Sequence, residues 1–435
     1  MSLANSGAPF VIPPLIKKNT TLFALSQSFT GAGMQFAFGL GPLMVLSLTG
    51  SNTLTGLTVG LIGFSRFLVS YPMGKITDTY GRKPGILFGL ALGLVGGLGV
   101  GAAMLAENFI ALVLAMLVFS AGMNGAQQLR VAATDMFPPS HRAQALGYIA
   151  MGSIVGLVVG PIIITYTEKY AIREGLQPLA LPWFFLPVFI IAGMCLIYFV
   201  RPDPKEIGMN LGKYYPGYTP PPRRTDGKDD MYFDGWSLMR NVRTRLAIVA
   251  NCAAQGNMSI VMVLTSLVLH HHGHSLSAIA VSHMFHSSGM FAFTIPMGKL
   301  ADRFGRERVM YPGVAVALIG ASLVAFTTPY WSVTLGTFLV GLGWAAANVA
   351  ATAMIADLTE TQVRGRAIGV NESASGAVAV VMALVTGPIL EYSGLPMTGL
   401  VAVLVALPPL VLWVYYRVKH TPAMEAEAAK ARTHL

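Results

Sequence analysis

The chain has 435 residues, of which 54% are hydrophobic and only 11% charged, with a formal net charge of +10 and two cysteines. A soluble domain carries about 25% charged residues, so this chain has too little polar surface to face water and requires a bilayer as its solvent. That excludes a soluble enzyme, and Cys195 and Cys252, both inside apolar segments, exclude a disulfide framework.

Residues 1–20 are polar and contain proline, so no cleavable signal peptide is expected, and the first apolar run serves as an uncleaved anchor. Apolar runs of spanning length follow at 21–48, 54–74, 85–106, 109–136, 144–167 and 182–200, then at 246–269, 277–298, 309–328, 332–357, 367–390 and 396–416. Twelve runs predict an all-α membrane protein built as two pseudo-symmetric six-helix bundles. The stretch 201–245, rich in Pro and charge, is expected to be a linker between an N-terminal half (1–200) and a C-terminal half (246–420), with a tail at 421–435.

Charge placement predicts orientation. With the N-terminus inside, 25 of the 29 Lys and Arg residues fall on cytoplasmic segments, two (Lys169 and Arg173) outside, and Arg66 and Arg130 within spans. This asymmetry predicts cytoplasmic termini and explains the basic charge without a nucleic-acid partner. The halves also repeat. Pro72-Met73-Gly74-Lys75 recurs at 296–299, Asp78, Gly81 and Arg82 recur as Asp302, Gly305 and Arg306, and Asp135, Arg142 and Gly147 recur as Asp357, Arg364 and Gly369. Parallel six-span repeats place a solute site between the halves near the midplane.

Ionisable groups within spans are costly and should face a cavity or a partner. Arg66, Arg130 and Glu372 all sit toward the cytoplasmic ends of their spans. Glu372 is expected to bridge to one of the two arginines, or else to act as a proton-coupling carboxylate. Gln35, Asn124, Gln127, Asn257 and Asn348 either line a central cavity or tie helices together.

The most informative stretch is 255–290. Met258 and Met262 share a helix face at i, i+4, and His286 and Met290 repeat that spacing on the next span. Three thioethers and an imidazole form a soft, neutral donor set that selects Cu(I), and neutral donors release an ion more readily than thiolates do. The competing reading is packing, since Met is an adaptable core residue and the chain has 23 of them. His283, one turn from His286, is either a further ligand or a helix–helix hydrogen-bonding group. His270, His271, His272 and His274 form a loop tract that either collects metal at the entrance or is simply hydrated.

GKITDTYGRK at 74–83 and GKLADRFGRER at 298–308 resemble the signature G-x-x-x-D-x-x-G-R-[KR] of the major facilitator superfamily, in the two loops where that family carries it. The resemblance implies a secondary transporter working by alternating access. It also implies gating roles for Gly74, Asp78, Gly81, Arg82, Gly298, Asp302, Gly305 and Arg306, with Arg142 and Arg364 expected as partners of the two aspartates. Gly147, Gly156, Gly160 and Pro161 partly match a fifth-span antiporter motif, but Ile164-Thr165 stands where that motif ends in Gly-Gly. The fourth span has no Arg in its outer half, unlike proton-coupled drug exporters. The M-x-x-x-M and H-x-x-x-M pairs further resemble the CcoA-like copper importers of the superfamily. For these the resemblance implies Met258, Met262, His286 and Met290 as ligands of transported copper, no permanently bound cofactor, an inner-membrane location and a monomer. Relatives that move riboflavin keep an organic solute, imported or exported, as the alternative. No P-loop or Ser/His/Asp arrangement points to an enzyme.

Overall fold

The computed structural model describes residues 11–138, 141–216, 218, 235–359 and 364–432, with side chains except at 32, 70–71, 142–144, 150, 155, 364–366 and 417–432. Among these residues every regular element is a helix. Backbone groups in hydrocarbon must be satisfied within their own segment, which leaves the helix as the only open-chain solution. The N-terminal spans are α1 (Pro14–Thr49), α2 (Leu57–Tyr80), α3 (Arg82–Leu105), α4 (Phe109–Ala126) continued by α5 (Gln128–Asp135), α6 (Arg142–Glu174) and α7 (Leu181–Tyr198). Short helices α8 (Pro204–Met209), α9 (Leu211–Tyr214) and α10 (Ser237–Arg240) belong to the connecting stretch. The remaining spans are α11 (Val242–His271), α12 (Leu276–Ala292) continued by α13 (Thr294–Phe304), α14 (Glu307–Phe326), α15 (Tyr330–Asp357) and α16 (Arg364–Arg432).

Nine helical stretches among the described residues are long and apolar enough to cross a membrane, and one of them, Ala367–Tyr416, supplies two crossings. At 1.5 Å per residue its 50 residues would measure about 75 Å, and Gly394, at φ 76° and ψ 179°, turns the chain between the two. The other two crossings are α2, apolar over Leu57–Val69, and α12–α13. These are the spans that lead into the repeated motif.

The motif itself differs from the expected loop. Helix α2 runs through Gly74 and Asp78 to Tyr80, and α13 runs through Gly298 and Asp302 to Phe304. The chain turns only at Gly81 (φ 108°) and Gly305 (φ 94°), a backbone region that side chains rarely adopt. The fourth span, expected as one run, breaks at Gln127, and the eighth breaks at Phe293.

Within each half, some helix pairs meet nearly backbone to backbone. A Cβ on Gly122 of α4 would stand 2.2 Å from the Gly93 nitrogen of α3, and one on Gly320 of α14 would stand 2.5 Å from the Gly336 carbonyl oxygen of α15. Between the halves, α1 packs on α11 and α12, α6 on α12, and α2 on α16. The hydrogen bonds across this seam cluster toward the face opposite the basic loops. Glu168 at the end of α6 accepts from the Leu276 and Ser277 nitrogens at 2.7 and 2.8 Å, and from the Ser277 hydroxyl. Those amides belong to the first turn of α12, where unpaired N–H groups and the helix dipole favour a carboxylate. At a second helix pair, the Asn52 amide before α2 donates to Glu391 of α16 at 2.8 Å.

Candidate functional site

Helices α11 and α12 carry the soft donors, and both pack against α1 of the other half. Met258 and Met262 are buried, at 7% and 2% exposure, and Met290 is half-buried. His286 is fully enclosed and its orientation is fixed. Its Nδ1 lies 2.9 Å from the Thr337 carbonyl of α15, and a carbonyl only accepts, so Nδ1 carries the proton. Nε2 therefore holds a bare lone pair, and no protein group partners it among the described residues. Close approach of α12 and α15 makes this geometry available. A Cβ on Gly341 would sit 2.1 Å from the His286 carbonyl oxygen, and one on Gly289 2.6 Å from that of Phe338. A ring with one N–H tied to a carbonyl and the other nitrogen bare is the usual posture of a metal-binding histidine. Sets of three or more His, Cys, Asp or Glu that could hold a metal are absent among the described residues, so any metal chemistry here rests on thioethers and imidazole.

Beside it, His283 Nε2 lies 2.8 Å from the Ser266 hydroxyl, which in turn donates to the Gly39 carbonyl of α1 at 3.0 Å. One turn along both helices, Gln35 of α1 donates to Ser287 of α12 at 2.7 Å. The outer histidines point away from the interior. His271 and His272 are exposed and each donates from Nδ1 to a carbonyl one turn back, at 2.7 Å in both cases.

The motif residues form two matched ion clusters. Arg82 binds Asp78 at 2.6 Å and Asp135 at 2.7 Å, and donates to Thr77 at 3.1 Å. Arg306 pairs with Asp302 and, at 3.0 Å, with Asp357. The hydrogen bond to Asp302 holds the Arg306 guanidinium above its usual range, against the opposing effect of burial. Each motif aspartate thus pairs with the arginine one turn on; the expected partners Arg142 and Arg364 have side chains outside those described. Asp135 and Asp357 complete the clusters. Their recurrence was visible in the repeat, but nothing in the spacing tied them to Arg82 and Arg306.

Arg66 reaches Glu372 at 3.9 Å across the halves, with 68% and 40% of the side chains exposed. Of the two candidate arginines, Arg66 makes the bridge, while Arg130 makes no ion pair among the described residues and is exposed. The amides divide between structure and surface. Asn124 donates to the Ile62 carbonyl at 3.0 Å and the Ser65 hydroxyl at 2.9 Å, which ties α4 to α2. Asn257, fully buried, donates to the Ala402 carbonyl at 2.7 Å, tying α11 to α16, while its Oδ1 has no protein partner among the described residues. Asn348 donates to Asn251 at 2.9 Å, and the Gln127 Oε1 is buried without a protein partner. Glu168 escaped the sequence reading because a glutamate at a span end looks like ordinary interfacial charge.

A cavity of about 720 Å³ opens on the basic face of the N-terminal half, lined by Lys17, Thr20, Ser28, Tyr148 and Met151 among others. It lies apart from the Met and His donors.

The chain is 29% identical over 416 residues to the MFS-type transporter YddS of Bacillus subtilis (strain 168), covering 93% of this chain and 92% of that one. It is 25% identical over 389 residues to the riboflavin transporter RfnT of Brucella anthropi, covering 87% and 90%. Among solved structures, the nucleoside transporter NupG superposes with a TM-score of 0.64 at 14% identity, covering 93% of this chain and 98% of that one. The D-xylose-proton symporter does so at 0.64 and 15% identity, covering 92% and 96%. The profile of the Major Facilitator Superfamily matches residues 23–243 and 246–435, and the chain belongs to that superfamily of membrane transporters.

Proposed function

We propose that the solute is a soft metal ion, copper in its reduced state, carried inward between the halves on Met258, Met262, His286 and Met290. The observation that carries this reading is the His286 ring. It is enclosed, its proton is committed to Thr337, and its second nitrogen is bare beside a helix bearing two buried thioethers. A buried polar atom without a partner costs about 1–3 kcal/mol, a cost that a passing ion would offset. Thioether and imidazole donors favour Cu(I) over harder cations, and their neutrality favours release as well as capture. Alternating access follows from the repeat. Glu168 on the α12 N-terminus and Asn52 on Glu391 hold one face shut, and these bonds must part when that face opens.

The test is cellular copper in copper-starved bacteria making wild type, Met262→Ala or His286→Ala at matched membrane levels. A gain with wild type that both variants lose supports the reading. No gain over empty vector sinks it, and the sulfur residues then revert to packing.

The second reading is an organic solute, supported by full-length similarity to a protein named as a riboflavin transporter. On that reading Arg66 and Glu372, exposed at the seam, are the polar contacts of the solute. Riboflavin uptake into a riboflavin-requiring strain, unaffected by Met262→Ala but lost in Arg66→Ala, would establish it.

A further inference from the structure

His283 is the second enclosed imidazole of α12, at 1% exposure, and its surroundings favour one tautomer too. Giving the Ser266 proton to His283 would bury an unpaired N–H at Nδ1, the rarer arrangement, whereas giving it to the Gly39 carbonyl at 3.0 Å leaves Nδ1 an unpaired acceptor. The Ser266 oxygen is then the acceptor for His283 Nε2 at 2.8 Å, so Nε2 carries the proton and Nδ1 holds a bare lone pair. No protein group partners that atom among the described residues. The two rings of α12 are therefore set alike. Each spends its N–H on a neighbouring helix, α11 for His283 and α15 for His286, and each keeps one unprotonated nitrogen inside the protein.

Helix rise places these groups in depth. Counting at 1.5 Å per residue from the ends of α11 and α12 that face away from the basic loops, His283 lies about 10 Å down, Met262 about 13 Å and His286 about 15 Å. Met258 and Met290 follow at about 20 and 21 Å. An imidazole, a thioether and an imidazole thus precede a pair of thioethers, and His283 is the first met from the closed face.

Resting on the copper reading, we propose that His283 Nδ1 is a further ligand of the transported ion, forming with His286 Nε2 and Met262 an outer station above the Met258–Met290 pair. Two imidazoles and a thioether suit Cu(I), and a ladder of stations lets an ion be held at each step without being trapped at any. The ring also touches the seam. His283, Ser266 and Gly39 form a chain from α12 through α11 to α1, so a ligand that turns the ring strains the bond to Ser266, which itself holds the N-terminal half.

The test uses the purified full chain in lipid nanodiscs, Cu(I) as the probe, a chromophoric Cu(I) chelator as competitor, and X-ray absorption at one equivalent of Cu(I). Wild type is expected to show two imidazoles on copper. His283→Gln, which keeps an N–H for Ser266 but removes the bare ring nitrogen, should show one imidazole and bind at least about ten-fold more weakly, the lower end of what loss of a supporting residue costs a metal site. Ser266→Ala should keep two imidazoles, because it frees the ring without removing it. If wild type binds, His286→Ala abolishes binding and copper carries only one imidazole, His283 is not a ligand while the copper reading survives. If wild type binds no better than His286→Ala, both fall. Equal loss in Ser266→Ala and His283→Gln, with one imidazole in wild type, would assign His283 to the seam alone. The wild-type spectrum decides the matter even where a variant does not fold.

Discussion

The segments 74–83 and 298–308 carry the same ion cluster in different surroundings. In both, an arginine just past a left-handed glycine pairs with the aspartate one turn back and with an aspartate from the end of a neighbouring span. In the first copy, the chain leaving α7 folds back over the cluster. Asp203 accepts from the Arg82 and Lys83 amides at 3.1 and 2.9 Å, taking up the open N–H groups of α3. Lys205 caps the Asp78 carbonyl, Lys83 donates to the Tyr198 carbonyl at 2.6 Å, and the Tyr215 hydroxyl donates to that of Met136 at 3.1 Å. Burial pushes the Tyr215 hydroxyl up from its usual range. The second copy has no such cover among the described residues. No side chain caps the first turn of α14, and nothing stands within 4 Å of a Cβ built on Gly305. The ion cluster is therefore intrinsic to the repeated sequence, while the cover comes from a connecting segment that follows only one half. Among the described residues the first copy is braced to its own bundle, and the second has fewer bonds to give up in moving.

That contrast is best broken at the arginines. Arg82 is 15% exposed, and Asp135 beside it is 22% exposed. Asp78 is 70% exposed, but removing Arg82 leaves the shielded Asp135 carboxylate without its partner, so Arg82→Ala is expected to cost about 2–3 kcal/mol, below the 3–5 of a fully buried pair. The partners of Arg306 are 69% and 58% exposed, and Arg306→Ala is expected to cost about 1 kcal/mol or less. Thermal unfolding in detergent reads both. Equal shifts would mean that the cover contributes nothing.

Gly81 and Gly305 sharpen the comparison. Both sit at positive φ, so alanine is strained at either, by about 1–2 kcal/mol. Only at Gly81 does the new methyl meet a neighbour, 2.8 Å from Asp203 Oδ2. Gly81→Ala is expected to lower the unfolding temperature more than Gly305→Ala and to expose the linker to protease, whereas Gly305→Ala should leave linker cleavage unchanged. Asp203→Ala comes next at about 1 kcal/mol, the usual worth of a helix cap. It should reproduce the protease sensitivity without the backbone strain.

What was legible in the sequence follows the range of each interaction. Apolar runs and the repeat depend on spacing along one helix, so twelve crossings and the motif positions could be read directly. The break at Gln127 and the helical course of the motif through Asp78 and Asp302 could not, because they depend on what packs against each turn. The same limit held at the site. The i, i+4 spacing of Met258 with Met262 and of His286 with Met290 is a property of single helices, but the bare nitrogen of His286 depends on Thr337, 51 residues away. Asn257 and Asn124 looked like cavity residues only because their acceptors, on Ala402 and Ile62, lie on other helices. The pairing of Arg82 with Asp135 was hidden for a similar reason. A short reach between span ends decides the pairing, and sequence spacing does not encode it.

The smallest expected effect tests whether the far end of the linker covers the second copy at all. Arg243, in the first turn of α11, approaches Glu307 of α14 at 4.0 Å, with 53% and 35% of the side chains exposed. It is the only ion pair among the described residues between that end of the connection and the second motif region. At such distance and exposure a pair contributes at most a few tenths of a kcal/mol, far below the amide bonds of Asp203. Arg243→Ala is therefore expected to leave both the unfolding temperature and transport within error of wild type. A loss comparable to that of Asp203→Ala would show that both motif copies are held by the linker. The freedom assigned to the second half would then have to be sought at the seam instead, at Arg66 and Glu372 on one face or at Glu168 on the other.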